Sequence, residues 1–245
     1  MTRHDVKVGS YVREDGTYPT VPLRKTERVD RAGADAFARC RWRRSEAGPQ
    51  GKPSVHLDRI DWAQRSGPCD LLCFHEFPIQ GYRNYDREQS VRVAFEEGCD
   101  EVEAVAKKAK QWNCYITMGS LWKDKDWPGH SMNMQLLFGP SGELVAKHWK
   151  QRAKRGTRQT REQFTTCIYD VFDRYVEMYG WDAVIPVART DIGNISMSAV
   201  QYEPELFRAM TMKGCGDASA AAPPAASAGR TSRCAPITTT SSSRW

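Results

Sequence analysis

The chain has 245 residues, with 36 Lys and Arg against 30 Asp and Glu for a net charge of +6, which is length for one large domain or two small ones. No stretch approaches the roughly 18 consecutive apolar residues of a spanning helix, and the opening MTRHDVKVGS has no apolar run behind its charges, so a cytoplasmic chain free of the membrane is expected. The positive charge sits at the ends: residues 1–55 hold 12 basic against 7 acidic side chains (+5), residues 216–245 hold 3 against 1 (+2), and residues 56–215 therefore come to −1. A basic surface confined to the least patterned segments argues against a nucleic-acid partner, which would need basic residues organised on a folded face. The eight cysteines are scattered, with no Cys-x-x-Cys pair and no Cys/His cluster at zinc spacing; they read as reduced core residues, and no metal or other cofactor is expected.

Residues 1–55 form a poorly patterned basic segment, and Arg24 to Lys52 in particular lacks apolar alternation. The first clear signal is Leu57, Ile60 and Ala63 at helical spacing, ended by Gly67-Pro68. Asp70-Leu71-Leu72-Cys73-Phe74 then reads as a strand buried on both faces, stopping at His75-Glu76. A helix is predicted over 100–112, with Asp100 as N-cap, Glu103 completing a capping box, and Val102, Val105, Ala106, Ala109 and Trp112 on one face. Cys114 to Trp122 follows as a strand. Met132–Phe138 and Glu143–Trp149, joined by Gly139-Pro140-Ser141-Gly142, make the clearest hairpin. A long polar stretch with helical spacing at Val171, Tyr175 and Met178 runs to Gly180. Ala183–Val187 and Ile192–Val200 read as strands and Glu203–Lys213 as a helix. Residues 216–245 contain 21 Ala, Ser, Thr or Pro out of 30, a composition that cannot bury enough apolar surface to offset its ordering entropy, so a disordered tail is expected. The order of elements is that of an α/β fold with sheets covered by helices.

Two charged residues stand where buried strands end, a usual address for catalytic groups in α/β folds. Glu76 follows the apolar run 70–74 directly, where a partly desolvated carboxylate can serve as a general base; the alternative is a strand-end Glu turned to solvent. Lys150 ends the second hairpin strand, where its ammonium could face a developing oxyanion; the alternative is one more member of a solvated basic run with Lys147, Arg152 and Lys154. His75 either lines that same site or is a hydrogen-bonded structural histidine, and Trp122, Trp127 and Trp149 read as packing residues because no basic stripe interleaves with them.

The stretch Asp70 to Glu76 followed by Gly81-Tyr82, the hairpin ending His148-Trp149-Lys150, the segment Thr190-Asp191-Ile192-Gly193-Asn194-Ile195, and Pro204-Glu205-Leu206-Phe207-Arg208 ahead of Lys213-Gly214-Cys215 resemble the nitrilase superfamily of carbon–nitrogen hydrolases, closest to its aliphatic amidase and formamidase branch. The resemblance covers about 56–215. It implies an αββα sandwich and a Glu, Lys, Cys catalytic set in which Cys attacks an amide or nitrile carbon, Glu takes its proton and Lys stabilises the tetrahedral intermediate. Glu76 matches the Glu and Lys150 the Lys, and a second, substrate-orienting Glu corresponds to Glu162. The nucleophile is missing from its place. The family's Cys stands seven residues after the glycine of its strand and six before Pro-Glu; here the first count lands on Val200 and the second on Ser198, with no cysteine between Cys167 and Cys215. Ser198 is either a substitute nucleophile or a strand residue on the face opposite Met197 and Ala199.

The expectation is therefore a nitrilase-like sandwich incomplete at both ends, with the tail beyond Gly214 arising from a shifted reading frame. The function that the resemblance implies is hydrolysis of a non-peptide carbon–nitrogen bond, with a small amide expected rather than a nitrile. The alternative is an inactive homologue that acts only by association. Expected partners are the small-molecule amide or nitrile and further copies of the chain, with neither nucleic acid nor membrane.

Overall fold

The computed structural model describes residues 21–24, 30–32, 53–81, 85–152, 164–199, 204–215 and 217–220. Eight strands among them form two sheets. The first holds β1 (Asp30–Ala32), β2 (Leu71–Cys73), β3 (Tyr115–Trp122), β4 (Met132–Phe138) and β5 (Leu144–Trp149), in that spatial order. β1, β2 and β3 run parallel, and β3, β4 and β5 are antiparallel neighbours. The second sheet orders β6 (Ala188–Thr190), β7 (Gly193–Ser198) and β8 (Asp217–Ala220).

The helices pack outside the two sheets, as the alternation of apolar residues dictates. α1 (Pro53–Ser66) and α3 (Asp100–Trp112) place Ile60, Ala63, Val102, Val105, Ala106 and Ala109 against Leu72, Ile116, Met134 and Leu136 on one face of the first sheet. The other face turns Leu71, Tyr115, Leu137 and Ala146 toward Ala188, Ile195 and Met197 of the second sheet. α5 (Pro204–Met212) covers the far side of the second sheet with Leu206 and Met210 against Val187. The layers are thus helix, sheet, sheet, helix, as expected for the resemblance. α2 (Arg87–Val93) and α4 (Phe172–Tyr179) lie in the connections.

A bulge in the hairpin decides which side chains face the second sheet. Leu137 pairs with Ala146 but Phe138 pairs with Leu144, so Val145 is an extra residue. Leu144 packs with the helix-side core and Val145 with the inter-sheet core. One inserted residue shifts the inward-outward phase of the strand. Beyond the bulge Ala146, His148 and Lys150 therefore share the inward phase, while Trp149 turns back to the helix side. At the tip of the hairpin Gly142 has φ +85°, a left-handed conformation that favours glycine.

Several sequence expectations are corrected. Cys99, not Asp100, is the N-cap of α3, and its side chain makes no capping bond. Asp100 is the first helical residue, where with Glu101 and Glu103 it favours the positive end of the helix dipole. Trp181–Val184 is a 3-10 turn rather than the start of a strand: Pro186 lacks a ladder donor, and Lys213 Nζ takes the carbonyls of Asp182 at 2.7 Å and Ile185 at 2.6 Å. The strand beside β7 begins later, at Ala188. α2 was not read from the sequence, although its capping box is there: Asp86 accepts from Gln89 N–H at 2.7 Å and Gln89 Oε1 accepts from Asp86 N–H at 3.2 Å. The poorly patterned ends also contribute strands, since β1 lies within 1–55 and β8 within 216–245. A strand can form in an unpatterned segment when an open sheet edge supplies the hydrogen-bond partners.

Candidate active site

The side chains of Glu76 and Lys150 meet: Lys150 Nζ donates to Glu76 Oε1 at 2.6 Å, with side-chain exposures of 15% and 5% for the lysine and the glutamate. Each arrives by a different route. The β2 ladder continues one residue past Cys73, where Phe74 N–H donates to Thr117 O at 2.8 Å, and the chain then leaves the sheet. As it leaves, the Glu76 carbonyl passes directly over β3 at Gly119, where a Cβ would overlap that oxygen. Only a residue without a side chain tolerates so close an approach. The loop beyond is pinned by Gln80, whose Nε2 donates to Ser120 Oγ at 3.0 Å and Leu121 O at 3.2 Å, and by Phe77 packed against Leu121 and Ala94. Lys150 follows β5 directly, in the phase set by the bulge at Val145.

Asn133 on β4 grips both partners. Its Nδ2 donates to Glu76 Oε1, and its main-chain oxygen accepts from Lys150 N–H at 2.9 Å. Sequence reasoning missed Asn133; its signal was a polar type, shared with Gln135, inside a strand whose remaining residues are apolar. Gly119, a glycine within a strand pattern, was missed in the same way. Two residues beyond Asn133, Gln135 faces the same layer and pairs across the ladder with His148. His148 is 1% exposed and its Nδ1 accepts from Met197 N–H at 3.0 Å, linking the two sheets. Burial pushes its imidazole down to about 3, so it is neutral.

The remaining sequence candidates fall as follows. Ser198 is 2% exposed and donates to Gln151 Oε1 at 3.2 Å; Gln151 is the residue after Lys150 and is itself fixed by a bond from Nε2 to Val184 O at 3.0 Å. Strand alternation puts Ser198 on the face opposite Met197, which belongs to the inter-sheet core. Glu162 lies outside the described residues. His75 gives its carbonyl to Gly119 N–H at 3.2 Å. Trp122, Trp127 and Trp149 are each 1% exposed, the latter two edge to face at 5.1 Å. Lys147, inside the basic run, is buried against Asp124 at 3.2 Å and Glu97 at 3.7 Å. Cys167 sits within the electrostatic reach of the pair: burial pushes its thiol up to about 12 although the Lys150 charge opposes the shift. A thiol so held stays protonated near neutral pH.

Among the described residues no group of three or more His, Cys, Asp or Glu could hold a metal ion, and no helix is long and apolar enough to cross a membrane. An open cavity of about 570 Å³ is lined by Arg87, Glu88, Val91, Arg92 and Gly129, and neither Glu76 nor Lys150 is among these residues.

The fold, with a buried carboxylate and ammonium at the ends of strands facing a second sheet, is that of the nitrilase superfamily. The carbon–nitrogen hydrolase family model matches residues 35–216, so the chain belongs to the carbon–nitrogen hydrolase family; the match begins well before residue 56, the start read from the sequence. Among solved structures, the NitFhit protein of C. elegans is similar at 17% identity and a TM-score of 0.53, over 69% of this chain and 39% of that one. A carbon–nitrogen hydrolase from Helicobacter pylori G27 is similar at 12% identity and a TM-score of 0.48, over 69% of this chain and 53% of that one. A cysteine-to-alanine mutant of Nesterenkonia AN1 amidase, from the nitrilase superfamily, is similar at 15% identity and a TM-score of 0.47, over 72% of this chain and 62% of that one. This chain therefore spans between 39% and 62% of the length of those three. No curated protein matches.

Proposed function

We propose that the chain hydrolyses the carbon–nitrogen bond of a small amide, with Glu76 as general base and Lys150 as oxyanion stabiliser. The observation that carries this reading is the buried contact between Lys150 Nζ and Glu76 Oε1 at 2.6 Å. An acid/base group and an electrophilic group must reach the same substrate atoms directly or through one water, and this pair satisfies that requirement. In the proposed reaction Glu76 takes the proton of the attacking nucleophile as its bond to the carbonyl carbon forms. The carbonyl oxygen becomes an oxyanion, against which Lys150 places an N–H. Collapse of the intermediate breaks the carbon–nitrogen bond, Glu76 returns the proton to the departing nitrogen and the acyl group stays on the nucleophile. Water, giving its proton to Glu76, then attacks the acyl carbon, and collapse of this second intermediate releases the carboxylic acid as Glu76 returns the proton to the nucleophile. Ser198 is proposed as the nucleophile at the position where the family's Cys is absent, a role that requires it to leave Gln151 and the face opposite Met197, and Glu162 is the proposed substrate-orienting carboxylate.

The test is ammonia release from a panel of short amides by the full chain and by Glu76→Gln, Lys150→Ala and Ser198→Ala. Loss of at least about 100-fold in the first two variants supports the reading, the usual worth of a positioned acid/base group. Undiminished release by Ser198→Ala removes that residue from the nucleophile role. A second reading, an inactive homologue acting by association, is favoured by one observation, that Ser198 donates to Gln151 on a strand lacking the family's Cys. Equal rates in all four proteins would leave that second reading in place.

A further inference from the structure

The inter-sheet layer beside Glu76 and Lys150 holds polar atoms that the fold does not satisfy. Asn133 Oδ1, Gln135 Nε2 and His148 Nε2 are buried without a hydrogen-bond partner among the described residues, on side chains 3%, 2% and 1% exposed. Native proteins rarely leave such atoms unpaired, and those that persist mark strain, a bound water or a ligand. Their chemical identity is fixed by their neighbours. The Glu76 carboxylate is an acceptor only, so Asn133 must turn Nδ2 toward it, which leaves Oδ1 as the free end, an acceptor. His148 Nδ1 accepts from Met197 N–H, so the neutral ring carries its proton on Nε2, a donor. Gln135 Nε2 is a donor by nature. Asn133 and Gln135 are two residues apart on β4, and Gln135 and His148 are paired across β4 and β5, so the three lie on one face.

We propose that Asn133 reads the N–H of the substrate through Oδ1 while holding Glu76 through Nδ2, and that the site thereby selects a carboxamide over an ester or a nitrile. This rests on Glu76 and Lys150 being the reacting pair. A carboxamide offers both an N–H, which Asn133 Oδ1 accepts, and a carbonyl oxygen, which the donors along the same face can engage. An ester of the same acyl group offers only acceptors, as does a nitrile, and either would leave Oδ1 buried and unpaired. A site built to bond an N–H rejects the analogue lacking it because its own polar group then loses water and gains nothing. Asn133 is well placed for both tasks, since its main chain also fixes Lys150 through the 2.9 Å bond to Lys150 N–H.

The probes are propionamide and methyl propionate, with binding to the full chain followed by ligand-observed NMR and turnover by ammonia and methanol release. Wild-type protein should bind propionamide about tenfold or more tightly than the ester, and Asn133→Ala should reduce that ratio to about twofold or less. Asn133→Ser serves in its place if the alanine variant does not fold. Equal binding of both probes by wild-type protein, binding of neither, or a ratio that survives in the variants overturns the proposal. So does an equal loss for amide and ester in the variants, which is what a merely structural role would produce. Discriminating binding without any ammonia release would defeat the hydrolase reading and leave this selectivity standing.

Discussion

The two ends of the layer between the sheets are built from the same strands and differ in what they ask of them. At one end Leu71, Tyr115, Leu137, Ala146, Ile195 and Met197 make a dry cluster. Its rim is closed by Tyr115 donating to Asp191 at 2.7 Å and by Arg24 within 3.3 Å of Asp70. At the other end β4 and β5, moving along by two residues at a time, present Gln135, Asn133, His148 and Lys150 on one face, where Asn133 and Lys150 reach Glu76. The apolar end is stabilised by removing surface from water, roughly in proportion to area and with little demand on angle. The polar end is held by directional contacts and leaves several buried atoms unsatisfied, so it costs stability.

That contrast can be broken most severely at Lys150. Lys150→Met leaves the Glu76 carboxylate buried with its ammonium gone, and should cost about 3–5 kcal/mol by urea unfolding, whereas adding Glu76→Gln should recover much of the loss. If the single and double variants are equally unstable, the pair is not the unit that burial of the charge makes it. At the apolar end Leu137→Ala, at a position with no exposed surface, should cost about 3 kcal/mol through lost transfer energy and a cavity. Its amide turnover, normalised to folded protein, should stay near that of the wild type. A parallel loss of turnover would show that the two ends are not separable.

The smallest effect concerns pH and His148. Its folded-state value of about 3 lies below the ordinary 6.5 because of burial, so the unfolded chain binds the extra proton first as pH falls. Stability is therefore complete above about pH 6.5 and declines progressively toward pH 3, by about 2 kcal/mol between pH 7 and pH 5. Urea unfolding across that range should show the decline in the wild type and a shallower slope in His148→Asn. Identical slopes would mean that His148 does not carry the pH dependence.

Much of the fold was legible along the chain. The helical spacing of Leu57, Ile60 and Ala63, the face of α3 and the hairpin 132–149 all came from periods that a local pattern fixes, because burial repeats at 3.6 residues in a helix and at 2 in a strand. Glu76 and Lys150 were legible as well, as charges at the ends of apolar runs and by resemblance to a family motif. The structure adds their contact at 2.6 Å. β1 and β8 were not legible, since their pairing comes from the sheet edges they join and not from an apolar pattern of their own.

The sequence by itself determined which segments are helix or strand wherever their own side chains set the period, and it marked two of the charged residues that end strands. Only the tertiary structure decided which side those charges face. Read as simple alternation, Leu144 to Lys150 would put Lys150 on the same side as Leu144, among the helices; the extra residue at Val145 reverses the phase and turns Lys150 toward Glu76. The bulge exists only against the partner strand, so no periodicity within β5 reveals it. The same holds for Asn133 and Gly119. One was a polar residue and the other a glycine in strand patterns, until the Glu76 loop crossed over both and made one its anchor and the other its clearance.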